Sequence, residues 1–134
     1  MVLKEDSCIF CKILNNKLPH HKVWEDDHFL AFLDINPINP GHTLVIPKKH
    51  IDYIFDLQDK RYTEIFEAIK KIAEPVRKVM NSKRIGVAIE GFAVPHIHVH
   101  LVPINKENEL DPHRATKAKE EDLVKIAEKI RRMF

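Results

Sequence analysis

No stretch of this sequence approaches the roughly 20 consecutive apolar residues that a membrane-spanning helix requires. The opening residues, Met1-Val2-Leu3-Lys4-Glu5-Asp6, lack the apolar core of a secretory leader, so the chain is expected in the cytoplasm. Charge of one sign is also scarce: 22 Lys and Arg face 20 Asp and Glu, for a formal net charge of +2. A domain that binds nucleic acid in bulk is usually far more basic, so nucleic acid is not the expected partner. A local basic pocket for one phosphate stays compatible with that balance. Only two cysteines are present, Cys8 and Cys11, in a single C-x-x-C. In a reducing compartment that spacing suits half a metal site or a redox pair better than a structural disulfide. Lys12, where a c-type haem site needs histidine, excludes haem attachment. Internal repeats and low-complexity linkers are missing as well. What remains is 134 residues, 44% of them hydrophobic, enough for one compact domain with its own core.

Periodicity divides the chain into short strands and two longer helices. Residues 8–14 have the chemistry of a short helical turn. Lys22–Glu25 and Phe29–Leu33 are short apolar runs separated by Asp26-Asp27, a hairpin signal. Asn36-Pro37-Ile38-Asn39-Pro40-Gly41 is a loop, and His42–Ile46 is a β-branched strand ending at Pro47. From Lys60 to Met80, Ile65, Ile69, Ile72, Val76 and Val79 recur at spacings of three or four, which predicts a helix with one buried face. Pro75 should kink it or end its first half. Arg84–Ile89 and His96–Val102 return to strand chemistry. Leu123, Ile126, Ile130 and Phe134 mark a final amphipathic helix, acidic at its start and basic near its end, as the helix dipole favours. The order predicts an α+β fold on an antiparallel sheet of about five strands.

The chemistry concentrates in His96-Ile97-His98-Val99-His100. On a strand, alternate residues point to one face, so three imidazoles line up roughly 6–7 Å apart while Ile97, Val99 and Leu101 face the core. A slip of one residue would bury all three histidines, which specifies the register. Such a row can bind a metal, or it can serve phosphorus chemistry. A free histidine titrates near ~6.5, so at neutral pH most imidazoles keep a nucleophilic lone pair. The plain alternative is a sheet face that happens to carry histidines.

His96-Ile97-His98-Val99-His100-Leu101-Val102 resembles the signature of the histidine triad (HIT) superfamily. Cys8-Ile9-Phe10-Cys11-Lys12-Ile13 is similar to the amino terminus of its Hint-like branch, and Phe32-Leu33-Asp34-Ile35-Asn36-Pro37 to its nucleoside segment. Gly41-His42-Thr43-Leu44-Val45-Ile46-Pro47-Lys48-Lys49-His50 is close to a family consensus. The likeness covers residues 8–103 and implies a HIT-like fold, with 1–134 as one domain and 104–134 as a helical extension.

The resemblance implies a nucleotide hydrolase or phosphoramidase acting at the α-phosphate of purine nucleotide derivatives. His98 would be the nucleophile, forming a nucleotidyl-histidine that water then hydrolyses. His100 and His42 would bind phosphate oxygens, Asp34 the ribose hydroxyls, and Phe32 and Ile35 would line the nucleoside pocket. Against these roles, Asp34 could simply cap the loop before Asn36-Pro37, and His42 could be an ordinary strand-entry residue. The resemblance also implies a structural zinc held by Cys8, Cys11, His50 and His96, and a two-fold homodimer through the long helix and a strand. In place of the Gly-rich loop with Gln and Ser or Thr that many members carry, this chain has the shorter Ile89-Glu90-Gly91-Phe92-Ala93-Val94-Pro95. That change leaves leaving-group preference and turnover open, and leaves room for a non-catalytic nucleotide-binding adaptor. The helical extension would either shape the substrate entrance or pack at a subunit interface. Lys48-Lys49 is taken as a solvated pair and Glu90 as a turn carboxylate; His20, His21 and His28 have no partner spacing.

Overall fold

The structure, a computed structural model, describes residues 7–134; the segment Met1–Asp6, read above for its lack of an apolar leader core, lies outside the described residues. The elements run α1 (Ile9–Leu14), β1 (Lys22–Glu25), β2 (Phe29–Leu33), β3 (Thr43–Pro47), α2 (Asp59–Met80), β4 (Arg84–Ala88), β5 (Val99–Ile104) and α3 (Glu120–Arg131). The five strands form one antiparallel sheet in the order β1-β2-β3-β5-β4. This is the α+β architecture that the sequence predicts. The hairpin closes through Asp26, whose Oδ1 accepts from the backbone N–H groups of His28 and Phe29, both at 2.8 Å.

The sheet is covered on both faces, which explains why β2 and β3 are buried at every residue. One face carries Ala31, Leu33, Val45, Val99 and Leu101 and packs beneath α2 and α3. The other carries Leu30, Phe32, Leu44 and Ile46 and lies beneath α1, through Phe10 and Ile13. The histidines share this second face, so the register argument needs correcting. His96 and His98 are 0% and 4% exposed in the native register, because α1 roofs a face expected to be open.

Three further expectations change. First, α2 runs unbroken through Pro75. A proline inside a helix costs ~3 kcal/mol or more. Its neighbours Ile72 and Val76 are fully buried, and burying each side chain contributes roughly 1.5–3 kcal/mol, which offsets that cost. Second, β5 begins at Val99, not His96. The two residues before His98 leave the ladder: Ile97 donates its N–H to the Ile51 carbonyl at 2.7 Å and His96 to the Val94 carbonyl at 2.8 Å. Third, the buried stripe of α3 is Leu123, Ala127 and Ile130, while Phe134 lies beyond the helix and is half exposed. These three residues join the main core of the same chain, so α3 packs within its own subunit.

Two glycines position the site. Gly41, at φ +89°, turns the loop into β3 where a Cβ would collide with the Met80 side chain. Gly86 in β4 lets Leu110 fold against the sheet; a Cβ there would stand 3.2 Å from Leu110.

Candidate active site and metal centre

The ligating atoms of Cys8, Cys11, His50 and His96 all lie within 4.8 Å of one another. Cys8 Sγ stands 3.4 Å and Cys11 Sγ 3.5 Å from His96 Nδ1, and Cys11 Sγ is 3.2 Å from His50 Nδ1. Metal–sulfur and metal–nitrogen bonds of ~2.3 and ~2.0 Å at a tetrahedral angle place the two ligand atoms ~3.5 Å apart, so the spacing fits. The hydrogen bonding fits too. His96 donates Nε2–H to the Pro47 carbonyl at 2.8 Å, which leaves the Nδ1 lone pair facing both sulfurs. The two cysteines are not joined by a disulfide. The four residues can form a metal site with four protein ligands, tying α1 to the start of the triad.

Backbone groups also decide the proton positions of the other histidines. His98 Nδ1 lies 2.8 Å from the His96 carbonyl, an acceptor only, so neutral His98 carries its proton on Nδ1 and a lone pair on Nε2. For His42 the logic reverses. The Ile38 N–H donates to its Nδ1 at 3.0 Å, so its proton sits on Nε2 and is donated to His100 Nδ1 at 2.9 Å. His100 must then hold its own proton on Nε2. The pair of bare His98 Nε2 and protonated His100 Nε2 is a nucleophile beside a hydrogen-bond donor, with the two rings 5.0 Å apart.

Both tautomers require neutral rings. Burial, reinforced by the neighbouring His100, pushes His42 down to about 3, and burial with His98 nearby pushes His100 down to about 4. Burial raises Asp34, opposed by the Asn36 amide and by His98. Unfolded histidines titrate near 6.5, so below that pH the unfolded chain binds protons that folded His42 and His100 refuse. Stability should therefore fall as pH drops from about 6.5 toward the folded values, by about 3–4 kcal/mol from pH 7 to 5 for the two groups together. Asp34 acts in the opposite sense but only toward the carboxylate range. Urea unfolding measured across this window checks it. The His42→Asn variant should show a shallower slope; an identical slope would remove His42 from the account.

Asp34, His42, His98 and His100 line one cavity of about 400 Å³, a size that suits a small-molecule ligand. Asp34 Oδ1 does cap its loop, accepting the Asn36 N–H at 2.8 Å, while Oδ2 stands 3.7 Å from His42 Nε2. Asp34, His42 and His100 lie close enough to hold a cation, but the tautomers above already occupy both His42 nitrogens. His42 thus stands behind His100. Phe32 and Ile35 do not line this cavity: Phe32 is buried with its ring centroid 5.8 Å from that of Phe10, and Ile35 is half exposed. Of the residues weighed lightly, Lys48 pairs with Glu25 at 2.7 Å and His21 with Glu120 at 3.2 Å, whereas Glu90 lines the cavity.

Sequence reasoning missed several neighbours. Phe10 sets its ring edge-on to His98 at 5.0 Å, across 88 residues of sequence. Phe92 and, from the extension, Leu110, Pro112 and Ala115 complete the cavity wall. Thr116 and Ala118 donate to the Pro37 and Ile35 carbonyls at 3.3 and 3.0 Å, so the stretch before α3 is strapped across the entrance. The strap, and not the helix itself, is the part of the extension that shapes the cavity.

The sheet, the buried histidine pair and the adjoining two-cysteine, two-histidine cluster define a class of proteins with a histidine-lined ligand site beside a metal-capable clasp. Comparison with known proteins agrees: the HIT domain family matches residues 15–107, and the chain belongs to that family. A HIT-like protein of Borreliella burgdorferi, itself uncharacterized, is 44% identical over 103 residues, covering 72% of this chain and 74% of the relative. Adenosine 5'-monophosphoramidase of Schizosaccharomyces pombe is 38% identical over 108 residues, 77% of each chain. The crystal structure of a zinc-bound histidine triad family protein from Mycobacterium smegmatis superposes with a TM-score of 0.81 at 28% identity, covering 96% of this chain and 93% of that one. Among the described residues, no helix is long and apolar enough to cross a membrane.

Proposed function

We propose that the protein hydrolyses purine nucleotide derivatives at the α-phosphorus, as a nucleoside phosphoramidase. The observation that carries this is the His98 tautomer: its Nδ1–H is tied to the His96 carbonyl at 2.8 Å, and its bare Nε2 shares a cavity with the His100 donor. His98 Nε2 attacks phosphorus, the leaving group departs, and water hydrolyses the nucleotidyl-histidine. His100 Nε2–H stabilises the charge that gathers on a phosphoryl oxygen, and a donor fixed before the reaction is most effective in a dry site. His42 acts through His100 as a positioning residue. Asp34 accepts from the ribose hydroxyls, with Ile35 beside the nucleoside and Phe32 backing Phe10. The adenosine 5'-monophosphoramidase activity named for the Schizosaccharomyces pombe relative supports the reading. Turnover of an adenosine phosphoramidate that depends on His98 is the test.

The four-residue clasp takes zinc in this proposal, supported by its two sulfurs and two nitrogens and by the zinc-bound mycobacterial neighbour. With four protein ligands the metal supplies a cross-link and no open position for chemistry. The whole chain, 1–134, acts as one unit in the reducing cytoplasm, and its near-balanced charge argues against nucleic acid as a partner. We also propose a homodimer. β4 is an edge strand with Val87 exposed, and Tyr53, Phe55, Tyr62 and Phe66 form a chain of exposed rings with successive centroids 5.4, 6.1 and 5.3 Å apart. Sedimentation at micromolar concentration should give twice the chain mass; a monomer would remove this part of the proposal.

A further inference from the structure

The loop between β2 and β3 carries Asp34 and sets the proton pattern of the site, yet it has no regular structure of its own. Two of its residues, Pro37 and Pro40, have no N–H to give. Its path is held by single contacts. Asp34 donates its N–H to the His42 carbonyl at 2.9 Å, and His42 donates to the Asn39 carbonyl at 3.1 Å. The strap adds Thr116 on the Pro37 carbonyl and Ala118 on the Ile35 carbonyl. One side chain of the loop is gripped from two sides: Asn39 Nδ2 donates to the Pro103 carbonyl at 2.8 Å, and Asn39 Oδ1 accepts from Arg114 at 2.7 Å. Pro103 lies past the end of β3, where Thr43 opposite Leu101 is the last pair of the ladder. The Asn39 amide thus meets a carbonyl that β3 does not reach.

The amide can take only one orientation. A carbonyl accepts and a guanidinium donates, so the nitrogen faces Pro103 and the oxygen faces Arg114. Glu109 orients the guanidinium: its Oε2 stands 3.5 Å from the same Arg114 nitrogen, and its Oε1 accepts from the N–H groups of Asn105 and Lys106. Asn39 follows directly on Ile38, whose N–H holds His42 Nδ1 as an acceptor. Once that N–H moves away, His42 is free to carry its proton on Nδ1 and turn a lone pair toward His100. His100 then donates from Nδ1, and its Nε2 faces the ligand bare. One displaced amide would exchange the donor beside His98 for a second acceptor, which repels phosphoryl oxygens instead of binding them.

We propose that Asn39 is a positioning residue for the reaction, its clamped amide fixing Ile38 so that His42 and His100 both keep their protons on Nε2. The effect on turnover rests on the phosphoramidase reading, whereas the proton arrangement needs no substrate to be seen. Asn39 does not line the cavity; Ile38, His42 and His100 do, and it acts through them. A donor already aimed before the substrate arrives costs no reorganisation at the moment of reaction.

Long-range 1H–15N correlation spectra of the labelled full-length protein at neutral pH should show His42 and His100 protonated on Nε2, the His42 signals being those lost in His42→Asn. Asn39→Ala should move a large share of His42 to the Nδ1–H form. With adenosine 5'-phosphoramidate the same variant should lose at least about tenfold in kcat while KM stays within about threefold, part of the ~10²–10³-fold that outright loss of a preorganised donor costs. Arg114→Met leaves the Pro103 contact in place and should shift the tautomers in the same direction, with kcat down about two- to threefold. A loop that merely supports the fold would lower the urea midpoint and leave the tautomers and the split between kcat and KM unchanged. Wild-type tautomers in folded Asn39→Ala, or a kcat within about twofold of wild type, overturn the inference. Should Asn39→Ala fail to fold, Arg114→Met decides in its place, because its side chain is 41% exposed, and wild-type tautomers there overturn it equally. Absence of turnover in the wild type overturns the phosphoramidase reading alone, and the spectra still decide the role of Asn39.

Discussion

His98→Ala is expected to lower the turnover of an adenosine phosphoramidate by at least ~10⁴-fold, the scale on which deletion of an essential nucleophile acts. The magnitude follows from the geometry. Deleting the imidazole removes the one nitrogen among the cavity-lining histidines whose lone pair is guaranteed by a backbone acceptor, and water in its place lacks that fixed orientation. Neither neighbour can substitute: His42 uses both nitrogens on Ile38 and His100, and His100 carries its proton toward the ligand. The substitution also leaves the His96 carbonyl without its donor and takes away the ring against Phe10, so folding is verified by circular dichroism and a urea midpoint. Two results would sink the nucleophile assignment. One is a variant within tenfold of wild type. The other is failure to trap labelled nucleotide covalently on the wild-type chain during turnover. Equal and negligible rates in both proteins would point instead to the nucleotide-binding adaptor.

Removal of the metal should have the second largest effect. Freshly purified protein is expected to contain about one zinc per chain, and less than about one-tenth would count against the clasp. Chelation, or Cys11→Ser, should destabilise by about 3 kcal/mol or more, which for a chain of this size lowers Tm by roughly 10 °C. The clasp joins three parts of the chain that meet nowhere else in sequence: α1, the end of the β3 loop and the segment before β5. It should also matter to catalysis, because His96 is both a clasp residue and the owner of the carbonyl that sets the His98 tautomer. A stripped protein that keeps its Tm would show that packing of Phe10 and Ile13 alone secures α1.

Much of this was legible in the sequence because the signals are local. Asp26 marks its hairpin by a turn that spans three residues, and Ile65, Ile69 and Ile72 declare a helix face by spacing alone. The C-x-x-C and the triad were readable for the same reason. The misses involve partners far away along the chain. Alternation of His and apolar residues from His96 says which way side chains point but not which carbonyl each N–H meets, so the start of β5 was set three residues early. Nothing near the triad announces that a helix 88 residues upstream will roof it, so the histidines were expected on an open face. Pro75 is a local breaker overruled by tertiary burial. Phe134 continues a helical stripe whose helix stops at Arg131. The apolar cavity wall from Leu110 to Ala115 has no periodicity of its own and depends on the gap at Gly86.

The order in which the parts are made bears on how the protein is born. Cys8, Cys11, His50 and His96 all leave the ribosome before Leu123, Ala127 and Ile130, the residues that finish the main core. A nascent chain can therefore close its metal clasp while its interior is still incomplete. The ligand chamber gains its outer wall only when Leu110, Pro112 and Ala115, made later than every clasp residue, dock against the sheet.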